Sequence, residues 1–242
     1  MENIQETVEE LLTWLKVKVD NAGAKGLVFG LSGGVDSAVL AGICKLAFPD
    51  TSLGIIMPCH SDKKDEEHAL IVSKALGLDI EKIDLTTTFD TMMEALKYKD
   101  NKLAIANIKP RLRMTTLYYY AQNMNFLVAG ASNKSEFTTG YFTKHGDSGV
   151  DLLPLVEFLK TEIWELANYL DIPEIIINKA PSAGLWNNQT DEDEMGFSYH
   201  ILDKYIDTKI AEGSIKTKIE TMYDKSLHKR HYPPIFTRNK KR

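Results

Sequence analysis

Gly26-Leu27-Val28-Phe29-Gly30-Leu31-Ser32-Gly33-Gly34-Val35-Asp36-Ser37 is the stretch that decides the fold. Its first half is a short apolar run of the kind that forms a buried strand, and residues 38–46 have helical composition up to Phe48-Pro49. Strand, glycine turn and helix in immediate succession place unpaired backbone N–H groups at the positive end of a helix dipole. The glycines let the backbone approach an anion closely, and Ser32 and Ser37 add hydroxyl donors. Such a loop suits phosphate. It is not the Walker loop, because no Gly-Lys-Ser/Thr follows the glycines, and it lacks the Gly-x-Gly-x-x-Gly spacing of a dinucleotide fold. In place of a lysine it offers Asp36, a poor direct partner for phosphate and a good ligand for Mg2+. A plain glycine turn capped by Asp36 would explain neither both serines nor the paired glycines.

Outward from this loop, residues 53–57 form a second apolar run closed by Pro58. Ile80 and Ile83 mark a third strand, and residues 125–130 a fourth. Ile4, Val8, Leu11, Leu12, Leu15 and Val19 recur at helical spacing, and further helices are expected over 65–76, 88–97, 107–122, 160–170, 194–207 and 214–228. Short apolar strands alternating with helices predict an α/β fold: a parallel, Rossmann-like sheet flanked by helices on both faces, in a single domain spanning residues 1–242. Ligands of such sheets sit beyond the carboxyl ends of the strands, where the glycine loop, Pro58-Cys59-His60 and residues 131–136 all fall. Between Ala180 and Asp193 runs a long, largely polar segment with the composition of an active-site lid.

Composition narrows the classes. Of 242 residues, 43% are hydrophobic and 26% charged, the mix of a soluble globular protein, and the net charge of -5 argues against a protein built to neutralise nucleic-acid phosphates. Two cysteines, Cys44 and Cys59, make neither a disulfide framework nor a zinc site, so a reducing cytoplasm is expected. Neither a secretory signal nor an apolar run near the roughly 20 residues needed to span a bilayer is apparent. The basic Lys240-Lys241-Arg242 end reads as a solvated tail.

Ser32-Gly33-Gly34-Val35-Asp36-Ser37 resembles the loop of the N-type ATP pyrophosphatases (adenine nucleotide alpha hydrolase-like fold), which split ATP into AMP and pyrophosphate. Within that group, the chain is similar to the ammonia-dependent NAD synthetase family. The likeness rests on Arg111-Leu112-Arg113-Met114, Gly130 through Glu136, Tyr141 through Asp147 and Asp151-Leu152-Leu153-Pro154-Leu155. It continues in Lys179 through Trp186 and in His228-Lys229-Arg230, all in the family's order.

The resemblance implies a ligase that amidates deamido-NAD with ammonia and ATP through an acyl-adenylate, giving NAD, AMP and pyrophosphate. It implies an ATP site of Gly30, Leu31, Ser32, Gly33, Gly34, Val35, Asp36, Ser37, Lys160 and Ser182, with Mg2+ on Asp36 and Glu136. Arg113, Lys144, Asp151, His228 and Lys229 are assigned to deamido-NAD, Arg111 being a less certain contact. Either Asp147 or Asp151 would bind ammonium and help deliver it as ammonia. A homodimer is expected from the family alone, and free ammonia as the donor, since a glutaminase domain has no room in this length. Two departures stand out: Ala131 follows Gly130 where the family carries an ATP-contacting threonine, with Ser132 a substitute hydroxyl, and Ser182 replaces a threonine. tRNA-thiolating and GMP-forming enzymes use the same loop, but net acidity and the absence of a placed cysteine pair count against thiolation. A nucleotide-sensing module would explain the loop and not the separated carboxylates.

Overall fold

In a computed structural model, which describes residues 3–182, 184, 186 and 189–238, the four expected strands form one parallel sheet, the third of them the largely exposed Asp79-Ile80-Glu81-Lys82, which excludes Ile83. In chain order the elements begin α1 (Ile4–Asn21), β1 (Gly26–Gly30), α2 (Val35–Ala47), β2 (Ser52–Ile56), α3 (Lys63–Leu76), β3 (Asp79–Lys82), α4 (Thr86–Ala95), α5 (Lys102–Ala106), α6 (Ile108–Met124) and β4 (Phe126–Val128). They continue as α7 (Lys134–Thr139), α8 (Lys160–Tyr169), α9 (Glu174–Ile177), α10 (Asp191–Met195), α11 (Tyr199–Thr208), α12 (Gly213–Lys225) and α13 (Leu227–Arg230). The basic tail from Lys240, and Ala183, Leu185, Asn187 and Asn188 of the expected lid segment, lie outside the described residues.

Strand order is β3-β2-β1-β4, all parallel, with Val28 opposite Leu53 on one side and Val128 on the other. The chain winds outward through β2 and β3, then returns across β1 to place β4 on its far side. The strand order therefore reverses between β1 and β4, opening a crevice at their carboxyl ends. A parallel bridge from Ala129 to Leu152 extends that edge, a pairing with no periodic signal behind it.

Alternation along the strands sends side chains to two faces. Leu27, Phe29 and Leu31 pack with α1, α2, α8 and α9, whereas Val28, Leu53, Ile55 and Met57 pack against α4 and α6. A third cluster, around Tyr199, Leu202 and Ile219, ties α8 to α11 and α12. Helix α1 turns Val8, Leu11, Leu15 and Val19 inward, as its spacing requires, and each such buried aliphatic contributes about 1.5–3 kcal/mol. Several expected boundaries move for local reasons. Helix α2 begins at Val35 rather than Ala38, since Gly34, at φ -100°, is already its extended N-cap. The helix expected over 194–207 is two, because Gly196 at φ +72° ends α10, and the last expected helix ends at Lys225 with α13 following.

Leu15 is fully buried between α1 and the sheet. Leu15→Ala is expected to lower the free energy of unfolding by about 2–5 kcal/mol, read from urea denaturation, with no change in the site described next.

Candidate functional site

Three helix beginnings meet at the crevice between β1 and β4. The glycine loop leaves β1, Gly33 takes a φ of +75°, and a Cβ there would lie 2.2 Å from the Asp65 carbonyl oxygen, so only glycine fits. The loop is braced from within. Ser37 Oγ donates to the Gly34 carbonyl at 2.9 Å and accepts from the Ser32 amide at 3.2 Å, while Ser32 Oγ lies 3.0 Å from Ser37 Oγ and accepts from the Gly34 amide at 3.3 Å. Both serines thus shape the loop as well as offering hydroxyls to it.

Asp36 stands in the first turn of α2, and Glu136 in the first turn of α7, where Asn133 and Glu136 cap each other's backbone. Asn133 also donates its amide to Asp36 Oδ1 at 2.7 Å, joining the two helix starts. Lys160 opens α8, the wrong end of a helix for a cation. It is held there by a buried frame: Asp203 accepts from the Thr161 amide at 2.9 Å and Ser135 Oγ accepts from the Lys160 amide at 3.0 Å. The Lys160 side chain is 1% exposed, and its ammonium lies 2.5 Å from Asp36 Oδ2 and 3.3 Å from Glu136 Oε1, with the Tyr199 ring beneath it at 5.0 Å. Burial opposes the lysine's charge, but the Asp36 and Glu136 carboxylates outweigh it and raise the pKa. Burial and then Asp36 push the Glu136 carboxyl up to about 8, with Lys160 acting the other way.

This triad forms part of the wall of a cavity of about 1400 Å³, above the roughly 300–1,000 Å³ usual for one small ligand. Gly30, Leu31, Ser32, Gly34, Val35, Asp36, Ser37, Lys160 and Ser182 line it, whereas Gly33 lies behind the loop against α3. Ala131 and Ser132 line it together, the hydroxyl standing one residue beyond the position expected for threonine.

On the far wall the expected acyl-substrate residues divide. Lys144 donates to the His228 carbonyl at 2.7 Å, and Lys229 donates to the Gly140 and Phe142 carbonyls at 2.7 Å each, so these residues bind α13 to the glycine-rich stretch while facing the cavity. Arg113 is committed inward: Nε donates to the Met57 carbonyl at 3.1 Å and Nη2 to Ser61 Oγ at 3.3 Å. Arg111 stays exposed on the rim, donating to the Lys144 carbonyl at 3.2 Å. Asp147 is on the cavity wall and accepts from the Thr143 amide at 2.9 Å. Although the residue is exposed to the cleft, desolvation by the cleft walls raises its pKa, with the Thr143 hydrogen bond pulling the other way. Asp151 is not brought to this wall. Its carboxylate accepts from the Val128 amide at 2.8 Å and from the Tyr118 hydroxyl at 3.0 Å, fastening β4 to α6.

Other site groups carried no sequence signal of their own. Asp191, from a run that reads as polar loop, and Glu194, from the expected start of the next helix, both line the cavity, with Asp191 acting on Lys160. Asp191 accepts from the Tyr199 hydroxyl at 2.8 Å, and Glu194 accepts from Tyr141. His60, read as structural, lines the rim and pairs with Asp90 at 2.7 Å.

The model of a family described as NAD synthase matches residues 7–233. An NH(3)-dependent NAD(+) synthetase from Finegoldia magna is 50% identical over 238 residues, 97% of each chain, and another from Carboxydothermus hydrogenoformans is 51% identical over 237 residues, covering 96% of this chain and 98% of its own. Among solved structures, an NMN synthetase from Francisella tularensis superposes with a TM-score of 0.93 at 36% identity, covering 96% of this chain and 98% of that one. An NH3-dependent NAD synthetase from Campylobacter jejuni, in complex with nitrate, gives 0.83 at 30% identity, over 97% and 99%. With the glycine loop, paired carboxylates and buried lysine set at the sheet's switch point, and with a match over nearly its whole length, this chain belongs to the NAD synthase family.

Proposed function

We propose that the chain is an ammonia-dependent ligase that converts the nicotinate carboxylate of deamido-NAD to the amide, with ATP giving AMP and pyrophosphate. The observation that carries this reading is the Asp36–Lys160–Glu136 triad beside an anion-binding loop, in a cavity large enough for two nucleotide-sized substrates.

A carboxylate does not react with ammonia at neutral pH, because its oxygen is too poor a leaving group. In the proposed route a substrate carboxylate oxygen attacks the ATP α-phosphorus and pyrophosphate departs. Ammonia then attacks the acyl carbon, AMP departs, and a proton is lost from nitrogen. The glycine loop and the first-turn amides of α2 receive the pyrophosphate, and the Lys160 ammonium offsets charge there, with Ser182 as a further donor. Asp36 and Glu136 fit a divalent cation, since an ammonium already stands between them. Asp36 and Glu136 would hold it as two carboxylates, and among the described residues no group of three or more His, Cys, Asp or Glu side chains that could hold a metal forms. When bound, Mg2+ supplies charge neutralisation to the triphosphate.

For the acyl substrate we assign Arg111, Arg113, Lys144, His228 and Lys229 as contacts; Arg113 lines the cavity while two of its donors brace the loop after β2, leaving the others for substrate. Asp147 is the aspartate placed to hold ammonium and accept its proton. Asp151 faces away from this cavity, and in a homodimer it would meet substrate only at a subunit boundary. No helix of the described residues is long and apolar enough to cross a membrane. We place the reaction in the cytoplasm, where Cys44 and Cys59, both buried and free, stay thiols. The likeness to an NMN synthetase supports a second reading, in which the acid is the mononucleotide.

Incubation with ATP, Mg2+, ammonium and either acid tests both. NAD and AMP in equal amounts from deamido-NAD, at higher kcat/KM than from nicotinate mononucleotide, support the first; the reverse preference supports the second; intact ATP with both acids overturns each. Asp36→Ala is expected to lower kcat by about 10²–10³-fold with the circular dichroism spectrum preserved. Because Glu136 holds a proton below about pH 8, a divalent cation must displace it, so affinity rises with pH. Calorimetry with Mn2+ should show tightening from about pH 6.5 to about pH 9 in the parent, and a flat profile in Glu136→Gln.

A further inference from the structure

The glycine loop is held from behind by a residue that none of these roles uses. Lys179, ahead of the segment that carries Ser182, reaches across to α3 and the loop together. Its Nζ donates to the Gly33 carbonyl at 3.0 Å and to Asp65 Oδ1 at 2.6 Å. Side chains on both sides of the ion pair are about three-quarters shielded, Lys179 being 24% exposed and Asp65 28%. Pro181, two residues on, accepts from the Asp191 amide at 3.0 Å, so the stretch from Lys179 to Pro181 is pinned at both ends.

A trans peptide is planar, with its C=O and N–H pointing in opposite directions. Holding the Gly33 carbonyl against Lys179 therefore aims the Gly34 N–H the other way, where it meets Ser32 Oγ on the cavity side. The backbone itself offers no resistance to a flip of this peptide, which only the Ser32 hydroxyl opposes from within the loop. Rotation would carry Gly34 from φ -100° to a positive φ and alter ψ at Gly33, and glycine accepts both changes freely. A flipped peptide would present a carbonyl oxygen to the pyrophosphate in place of an N–H donor. The two glycines that let the backbone approach an anion thus leave its polarity to hydrogen bonds alone: the long Ser32 contact at 3.3 Å on the N–H side and the charge-assisted Lys179 bond on the carbonyl side.

We infer that Lys179 is a positioning residue for ATP, which fixes the polarity of the Gly33–Gly34 peptide and holds the Ser182 segment against the pyrophosphate loop. Its ammonium also neutralises Asp65, a carboxylate on the rim of the same cavity. The inference rests on the glycine loop being the ATP site.

Lys179→Met, Lys179→Arg and Asp65→Asn, compared in steady-state kinetics with each substrate varied in turn, provide the test. Lys179→Met should raise KM for ATP by about tenfold or more, the scale of a lost charge-assisted hydrogen bond, and leave KM for the acid and for ammonium within about twofold. Lys179→Arg, which restores a charged donor, should bring KM for ATP back to within about threefold of the parent. Asp65→Asn should raise it less than Lys179→Met, because the bond to Gly33 survives. Three results would each overturn the inference: an unchanged KM for ATP in Lys179→Met, an equal rise in all three KM values, or Asp65→Asn reproducing the full effect. Should Lys179→Met not fold, Lys179→Leu carries the same comparison, and the Arg and Asn variants decide between the Gly33 bond and the Asp65 pair on their own. A parent enzyme that makes no amide sinks the proposed function, whereas a working parent indifferent to Lys179 sinks only this inference.

Discussion

The structure depends on a lysine ammonium buried between two carboxylates that arrive from different parts of the fold. Lys160 is almost completely removed from water, and a charge in that position is sustained only by close partners and full hydrogen bonding. Asp36 comes from the helix after β1, Glu136 from the helix after β4, and Lys160 from the start of α8. For the three to meet, the strand order must reverse between β1 and β4, so that two helix beginnings face each other across one crevice. Asn133 and Asp203 then fix the approach, one by bonding Asp36 and the other by capping α8. The same triad lines the cavity beside the glycine loop.

The site's own side chains therefore already carry opposed charges. An ammonium stands between the two carboxylates, and one of them, Glu136, is held partly protonated by burial and by Asp36. If Asp36 and Glu136 were to hold Mg2+, as proposed, Glu136 would have to give up that proton and Lys160 would be left to face phosphate. Ground-state repulsion between Asp36 and Glu136 is thus relieved by whichever cation is present, which keeps their geometry nearly set before substrates bind.

Much of this was legible in the sequence because it is local. Four apolar runs, a glycine loop and the Asp36 beside it are short-range patterns, and each falls where periodicity and turn chemistry put it. Helix α7 escaped because it has only six residues, although Asn133-Lys134-Ser135-Glu136 carries a capping-box spacing that marks its start. Arg113 does line the cavity, but the two hydrogen bonds that orient it, to the Met57 carbonyl and Ser61, depend on how α6 lies against the loop after β2 and had no local signal. Asp151 shows the same limit: its place in the glycine-rich stretch suggested the cavity, but the bridge between Ala129 and Leu152 turns it to the outer side. Asp191 and Glu194 sit in an acidic run whose spacing says nothing of Tyr199 and Tyr141, the hydroxyl donors that hold them.

The central claim is that the triad serves attack of a carboxylate on the ATP α-phosphorus. Transfer of oxygen reports that bond most directly. With both carboxylate oxygens of deamido-NAD labelled with 18O, and turnover carried out in unlabelled water, mass spectrometry of the AMP should find one labelled oxygen in its phosphoryl group and none in pyrophosphate. Unlabelled AMP, or label in pyrophosphate or orthophosphate, would contradict the account.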